Sequence, residues 1–190
     1  MESNLTTFTG KLVRLTALDI EQNAALWAEW SRDSDYLRLL DSDPAIRYNP
    51  KQNQAFLENE IGNMFCFAIH RLSDDKVVGM IDLSGFNWTA GDAWVGIGIG
   101  EGEDRGKGYG TEAMKLVVDY AFNELNLHRV SLSVFDYNPC AIRSYEKAGF
   151  ILEGRKREVI RRNGRWYDIL YMAVLRREWE QHQNSEPIRV

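Results

Sequence analysis

The residues best suited to bind a ligand form the run Arg105–Gly110, in which three of the six positions are glycine and two are cationic. Glycine leaves backbone N–H groups accessible, and a helical pattern begins directly after the run, at Thr111–Met114. Backbone N–H groups at a helix N-terminus, together with the helix dipole, form a binding site for anions. The run therefore predicts that the chain binds a ligand carrying phosphate.

Two common phosphate-binding motifs fit this run poorly. A Walker P-loop requires Gly-Lys followed by Ser or Thr, whereas Lys107 here precedes Gly108. The spacing Gly108-x-Gly110-x-x-Ala113 fits the relaxed dinucleotide fingerprint, but that fingerprint directly follows a strand inside a parallel βαβ unit. Here the polar segment 101–104 intervenes and the preceding strands are predicted to be antiparallel. A nucleotide-dependent dehydrogenase is therefore kept only as an alternative.

Length and charge narrow the class of protein. The chain has 190 residues, enough for one domain with a large core, and its net charge of −5 argues against general nucleic-acid binding. It shows neither a signal-peptide pattern nor a run near the ~18 apolar residues of a membrane span, so we expect a cytoplasmic protein without membrane partners. Cys66 and Cys140 lack metal-ligand spacing, and His70, His128 and His182 are scattered. No metal is expected.

Capping and hydrophobic periodicity predict the elements that would position the run. A strand is expected over 11–15, Asp19 can cap a first helix, and Asn49-Pro50 followed by Gln52 forms the capping box of another. Residues 31–48 give no clear pattern. Three strands are expected next, over 65–71, 76–84 and 93–100. A helix over 108–124, a strand over 129–135 and a helix over 139–148 follow them.

The connections between these elements predict the fold class. Short turns join consecutive strands, and Asn163-Gly164 between two β-rich runs is typical of a hairpin. The sequence therefore predicts one α+β domain with a mostly antiparallel central sheet. We place that domain over residues 1–180 and expect a frayed, polar C-terminal tail over 181–190.

Three ordered motifs resemble the GNAT superfamily of acyl-CoA N-acyltransferases. The first is the Arg-x-x-Gly-x-Gly pattern of Arg105–Gly110, and the second is Asn138–Phe150, which contains Asn-Pro-x-Ala and Tyr-Glu-Lys-Ala-Gly-Phe. The third combines Gly149–Gly154 with Asn163–Asp168 and is similar to the branch that contains the ribosomal-protein N-terminal acetyltransferases. The resemblance covers roughly residues 12–179, with its specific motifs confined to 93–168.

The resemblance implies a fold and a cosubstrate. The fold would be a three-layer α/β/α arrangement around a seven-stranded, mixed but mostly antiparallel sheet, splayed between strands four and five. Acetyl-CoA would be bound without a metal. Its pyrophosphate would be held by backbone N–H groups of Arg105, Gly106, Lys107, Gly108, Tyr109, Gly110 and Thr111, its pantetheine amides by the backbone of Ile97, Gly98 and Ile99, and its pantetheine arm also by Asn138.

The same resemblance implies a mechanism with one missing part. Tyr145 would stand near the thioester sulfur, and a phenol with an ordinary pKa of ~10 is a protonated donor at neutral pH. We expect direct transfer in a ternary complex, with a backbone N–H around Gly98 stabilising the oxyanion. Trp94 and Ser133 stand where family members often carry a glutamate. The general base is therefore left open between a water relay and four acidic residues: Asp82, Glu101, Glu153 and Glu158.

Alternating glycines precede the phosphate-binding run. Gly96, Gly98 and Gly100 leave one face of the predicted strand without side chains, and strand glycines often mark the close approach of a ligand or of backbone. Two hypotheses are equally favoured. The bare face borders the acyl-transfer tunnel, or it makes room for a bulky neighbour such as Trp88.

The sequence thus predicts an acetyl-CoA-dependent N-acetyltransferase acting on a primary amine. The acceptor would be a protein N-terminus or a small amine, and a homodimer is possible because dimers are common in the superfamily. A catalytically silent acyl-CoA-binding or regulatory protein is the alternative, because no general base can be assigned.

Overall fold

The computed structural model describes residues 7–185, which form a seven-stranded sheet in the order β1-β2-β3-β4-β5-β7-β6. The strands are β1 Val13–Ala17, β2 Phe65–Arg71, β3 Val77–Asn87, β4 Asp92–Ile99, β5 Arg129–Phe135, β6 Ile151–Arg162 and β7 Arg165–Leu175. The helices are α1 Ile20–Trp30, α2 Ser34–Leu40, α3 Pro50–Glu60, α4 Tyr109–Asn123, α5 Pro139–Lys147 and α6 Arg176–Ser185, with a 3-10 turn at Gly102–Asp104.

Capping residues fix the first residues of the helices α1 and α3. The side chain of Asp19 accepts a hydrogen bond from the Gln22 backbone at the start of α1. Asn49 and Gln52 form the reciprocal capping box of α3, with Pro50 in its first turn. These starts confirm the predictions. The helix α2 was not predicted, although Asp33 caps it by accepting from the Asp35 backbone.

The sheet separates between β4 and β5. These two strands are the parallel pair, and they match only over three positions, Asp92↔Arg129, Ala93↔Val130 and Trp94↔Ser131. Beyond that point β4 continues alone on this side, while β5 stays paired with β7 over its whole length. The splay confirms the predicted mixed sheet and leaves one edge of 95–99 without a neighbouring strand.

Two apolar clusters place helices on both faces of the sheet. On one face α4 buries Met114 and Val117 against strand residues such as Ile69 and Leu132. On the other, Trp30 and Tyr36 from α1 and α2 pack with Ala68 and Val77. Because each sheet face is covered by helices, the architecture is the predicted three-layer α/β/α arrangement.

A carboxylate from α4 binds the backbone where the first strand begins, at a later residue than predicted. Glu112 accepts hydrogen bonds from the backbone N–H groups of Lys11, Leu12 and Val13, at 2.9, 2.6 and 2.8 Å. Lys11 and Leu12 therefore give their donors to α4, and β1 starts at Val13. The contact also fixes the first turn of α4 against the edge of the sheet.

The C-terminal part departs from prediction in one respect. The predicted hairpin is present, with both Asn163 and Gly164 in the left-handed region at φ 49° and 80°. The helix α6 runs to Ser185, through the first residues of the segment expected to be a frayed tail, and residues 186–190 lie outside the described range. Within the described range, no helix is both long and apolar enough to cross a membrane.

Candidate active site

The glycine-rich run forms a tight turn that leads into α4. Gly106 and Gly108 have φ values of 76° and 91°, which L-residues with side chains rarely adopt. Gly108 is the N-cap of α4, and no side chain caps this helix. Because the first N–H groups of a helix have no intrahelical partner, the first turn of α4 can donate to an anion.

A cavity of about 390 Å³ opens beside this turn, and we call it the coenzyme cavity. Its walls come from the glycine turn, the end of β4, α2 and α5. Thr111 and Ser144 join α4 to α5 through a hydroxyl–hydroxyl hydrogen bond of 2.8 Å. Arg143 and Lys147 also line the cavity, so α5 adds two cations that were not among the predicted site residues.

The predicted cations of the turn have different surroundings. The guanidinium of Arg105 donates to the carbonyl groups of Ile99 and Gly100 at 3.1 and 2.6 Å and to the carboxylate of Asp33 at 3.1 Å. Its hydrogen bonds thus join β4 to the start of α2, while its charge stays in the cavity wall. The Lys107 ammonium is half exposed and lies 3.8 Å from the buried Asp104 carboxylate.

The alternation of β4 decides which backbone groups face the splay. Gly100 donates its N–H to Val78 in β3, so Gly98, two residues earlier, also directs its backbone towards β3. The N–H groups of Ile97 and Ile99 point the other way, into the gap left by β5. These two residues, rather than Gly98, therefore carry the backbone donors available to a ligand in the splay.

A second cavity of about 440 Å³ adjoins the first, and we call it the acceptor cavity. Its walls come from α1, α2, α3, the start of β2, the middle of β3 and β4, and the end of β5. The two cavities share seven lining residues, namely Tyr36, Leu39, Leu40, Ile97, Gly98, Asn138 and Tyr145. Sequence comparison predicted four of these seven as site residues, and the structure brings them together where the cavities meet.

Asn138 and Tyr145 occupy this junction from one side. Asn138 caps α5, because its side-chain oxygen accepts a hydrogen bond from the Ala141 backbone at 3.2 Å. Asn138 lines both cavities. Tyr145 is partly buried and packs beside Phe150, and the removal of its phenol from water raises the pKa of that group to about 12. The phenol therefore stays protonated at neutral pH, as a proton donor requires.

Tyr36 faces the junction from the opposite side, and sequence reasoning missed it. Its ring packs under the Arg105 guanidinium, 5.5 Å from the ring centroid. Burial raises the pKa of its phenol above the ordinary value. The only sequence signal was its place in α2, whose Asp33 cap lies within the segment 31–48 that gave no pattern.

The alternating glycines of β4 make room for side chains from other elements. A Cβ on Gly98 would lie 2.9 Å from the Tyr36 hydroxyl, and one on Gly96 would lie 2.7 Å from a carboxylate oxygen of Asp82. Gly100 similarly accommodates the ring of Trp30. The glycines therefore admit neighbours, as one hypothesis held, although Trp88 is not among them. Gly96 and Gly98 also line the acceptor cavity.

Only one of the four candidate bases lies in this cavity. The carboxylate of Glu101 pairs with Lys76 at 2.7 Å, and that of Glu153 pairs with Arg129. Glu158 lies on an irregular part of β6, outside both cavities. Asp82 projects from β3 into the acceptor cavity, and burial raises its pKa to about 6.

The positions of the family glutamates cannot replace it. The Trp94 ring packs against Tyr171, with 6.2 Å between ring centroids, and does not line the acceptor cavity. Ser133 does line that cavity, but a hydroxyl is not a base at neutral pH. Asp82 is thus the one carboxylate among the predicted bases that an acceptor can reach.

Comparisons with known proteins agree with this geometry. A family model described as an acetyltransferase (GNAT) domain matches residues 12–151. The probable N-acetyltransferase YjcK of Bacillus subtilis is 34% identical over 172 residues, which cover 88% of this chain and 94% of that protein. The putative ribosomal N-acetyltransferase YdaF of the same species is 36% identical over 109 residues, 57% of this chain and 59% of its own length.

A solved structure gives the same fold. The spermidine N-acetyltransferase from Vibrio cholerae, in complex with CoA and spermine, aligns with a TM-score of 0.80 at 23% identity, covering 90% of this chain and 99% of that chain. At this identity the likeness establishes a common fold and not a common substrate.

Proposed function

We propose that this chain, which belongs to the GNAT acetyltransferase family and is an N-acetyltransferase, transfers the acetyl group of acetyl-CoA to a primary amine of a small polycation such as a polyamine. The observation that carries the choice of acceptor is the charge of the acceptor cavity. Asp41, Glu60 and Asp82 line it, and no Lys, Arg or His of the described residues does. A cavity lined by carboxylates favours a cationic ligand.

The coenzyme cavity suits the phosphates and the amide-rich arm of acetyl-CoA. Backbone N–H groups from Gly106 to Thr111 would hold the pyrophosphate, and Arg143 and Lys147 would supply charge near the adenosine phosphates. The N–H groups of Ile97 and Ile99 would bond the pantetheine arm as an added strand does. Asn138 would donate to the same arm from its side-chain amide.

The chemistry would take place where the two cavities meet. Attack of a neutral amine on the thioester carbonyl forms the C–N bond, and cleavage of the C–S bond then releases coenzyme A as a thiolate. Tyr145 would donate its phenolic proton to that thiolate. A backbone N–H of β4 that faces the splay would stabilise the oxyanion formed in between.

The related proteins include examples named for each of the two acceptor classes, a small amine and a ribosomal protein. The solved spermidine N-acetyltransferase is in complex with CoA and spermine, whereas YdaF is named a putative ribosomal N-acetyltransferase. A protein N-terminus carries one positive charge, and a polyamine carries several. The carboxylates on the cavity wall therefore favour the polyamine.

Acetyl transfer can be measured as thiol release from acetyl-CoA with three acceptors. We expect spermidine to exceed butylamine in kcat/KM by about tenfold or more, since 1.4 kcal/mol of added attraction gives a factor of ten. The advantage should shrink at high salt. A peptide with the N-terminal sequence of a ribosomal protein serves as the third acceptor.

Two results would contradict the proposal in different ways. Preference for the peptide would overturn the choice of acceptor and leave the transferase intact. Tight binding of acetyl-CoA without turnover on any amine would instead favour the catalytically silent binding protein.

A further inference from the structure

The acceptor cavity holds a carboxylate that no cation neutralises. Asp82 has Cys66 as its partner on β2 and Gly96 as its partner on β4 in the strand register. None of the ion pairs among residues 7–185 involves it, whereas Glu101 and Glu153 each pair with a cation. Asp82 is partly buried, and a charge that is withdrawn from water without an opposite charge nearby is costly to maintain, so its presence needs an explanation.

The backbone opposite Asp82 leaves space for its carboxylate. A Cβ on Gly96 would come within 2.7 Å of one carboxylate oxygen, closer than real Cβ atoms approach. Any residue other than glycine at this position would therefore push Asp82 out of place. The position of the Asp82 carboxylate on the wall of the acceptor cavity therefore depends on glycine at position 96.

The other titratable groups around Asp82 do not take its role. Burial raises the pKa of the neighbouring Cys66 thiol to about 12, so the thiol stays neutral. Ser84 on the same strand acts as a hydrogen-bond neighbour and partly offsets the effect of burial on Asp82. Asp41 and Glu60 add negative charge to the cavity, and Tyr36 and Tyr145 add protonated phenols.

We propose that Asp82 is the proton acceptor of the transfer reaction. This inference rests on the proposed function. The carboxylate takes one proton from the ammonium group of the acceptor, which frees the nitrogen lone pair for attack, and passes that proton to solvent through the open cavity. As the C–N bond forms and the C–S bond breaks, the nitrogen loses a second proton. That proton replaces the one that Tyr145 gives to the departing thiolate.

This role explains how the chain can lack a glutamate at both family positions. An alkylammonium group has a pKa near that of lysine, about 10, so at pH 7 only about one molecule in a thousand is a neutral nucleophile. A carboxylate with a pKa of about 6 is ionised at neutral pH and is still basic enough to share that proton. The base is therefore supplied from β3, two strands away from β5.

The pH profile of Asp82→Asn tests the assignment. With spermidine, we expect the wild-type kcat/KM to fall below a pH of about 6, where Asp82 is protonated, and to be flat from there towards pH 9. Asp82→Asn should lose about 100-fold or more at pH 7, the scale of general-base catalysis. Its remaining activity should rise about tenfold per pH unit up to the pKa of the amine, because only neutral acceptor then reacts.

A second carboxylate of the same cavity separates proton transfer from charge attraction. Glu60→Gln should raise KM for spermidine and leave the shape of the pH profile unchanged. If Asp82 served only to attract a cation, Asp82→Asn would behave like Glu60→Gln, and the assignment would be overturned. Absence of turnover by the wild-type protein would overturn the proposed function itself, which is a different result from an active wild type with an unaltered Asp82→Asn.

Thermal unfolding guards against a misfolded variant. The folded state holds a proton on Asp82 up to a pH of about 6, whereas an ordinary aspartate releases it near 3.8. Wild-type stability should therefore fall as pH rises through this window and stay reduced above it. Asp82→Asn removes that loss, so its Tm at pH 8 should exceed the wild-type value. A lower Tm would mean that Asp82 has a structural role instead.

Discussion

The coenzyme half and the acceptor half of the cleft are built in opposite ways. The coenzyme half is centred on one stretch of chain, residues 97–111, and is completed by α5 and by the residues of α2 that it shares with the acceptor half. It presents backbone N–H groups and cations. The acceptor half gathers side chains from α1, α2, α3, β2 and β3, and it presents carboxylates and aromatic rings.

This difference separates what must stay fixed from what can vary. A phosphate held by backbone donors depends on the shape of the turn, and any sequence that keeps that shape keeps the ligand. An acceptor held by side chains depends on their identity and charge. Substitutions in the two halves should therefore affect the two substrates separately, except where the halves meet.

Among substitutions that test this separation of the two halves, the largest effect is expected where they meet, from Gly98→Val. A Cβ there lies 2.9 Å from the Tyr36 hydroxyl and 3.2 Å from Leu40, and Tyr36 is buried and cannot move aside freely. Overpacking of this kind costs about 1–3 kcal/mol. We expect kcat/KM to fall about 10- to 100-fold, with KM raised for both acetyl-CoA and the amine in steady-state assays.

Gly62→Val provides the control for Gly98→Val. A Cβ on Gly62 has no atom within 4 Å, so the larger side chain meets open space. Its kinetics should match the wild type. If Gly98→Val changed KM for only one substrate, this residue would not form part of both binding sites.

A smaller effect, confined to the coenzyme half, is expected from Gly108→Ala. Gly108 has φ 91°, and the left-handed region costs an L-residue about 1–2 kcal/mol. The turn would relax away from its binding shape, so KM for acetyl-CoA should rise about 5- to 30-fold while KM for the amine stays constant. Gly102→Ala is the matched control, since its added methyl meets no atom within 4 Å and its φ is ordinary.

The same contrast explains how much the sequence could predict. The turn at Arg105–Gly110, the capping box of Asn49 and Gln52 and the hairpin at Asn163-Gly164 all depend on local geometry, so their residues specify them directly. The separation between strands four and five was predicted only from the family resemblance, because hydrophobic periodicity does not indicate which strands are neighbours in a sheet. Tyr36 and the pairing of Asp82 with Gly96 join segments far apart in the chain. No local pattern carries such contacts, and the acceptor half consists mostly of them.

Arg105 shows that even a correctly identified motif residue can have an unforeseen partner. Its backbone N–H was expected to hold the pyrophosphate, and its guanidinium bonds two carbonyl groups at the end of β4 and the Asp33 carboxylate, a partner that the sequence did not indicate. Asp33 caps α2, the helix that carries Tyr36. The glycine turn was predicted to bind the coenzyme through its backbone N–H groups. Through the Arg105 side chain it also positions α2, which lines the acceptor cavity.

The smallest effect, confined to the acceptor half, is expected from Arg162→Ala. Arg162 ends β6, and its guanidinium donates to the carbonyl groups of Asp41, Ser42 and Asp43 at 3.1, 3.0 and 2.8 Å. These bonds hold the segment after α2, which lines the acceptor cavity, against the hairpin. Because the segment is exposed, its release should cost little stability, and KM for the amine should rise about 3- to 10-fold while KM for acetyl-CoA stays constant.

The neighbouring Arg161→Ala makes this last comparison a sharp one. Arg161 has the same charge and lies in the same strand, but its guanidinium sits over the Trp166 ring, 6.0 Å from the centroid. Loss of positive charge near an acidic cavity would change both variants alike, whereas loss of the three carbonyl contacts would change only Arg162→Ala. Equal KM values for the amine in the two variants would therefore mean that the segment after α2 holds its position without the hairpin, and that the acceptor half is more locally determined than its contacts indicate.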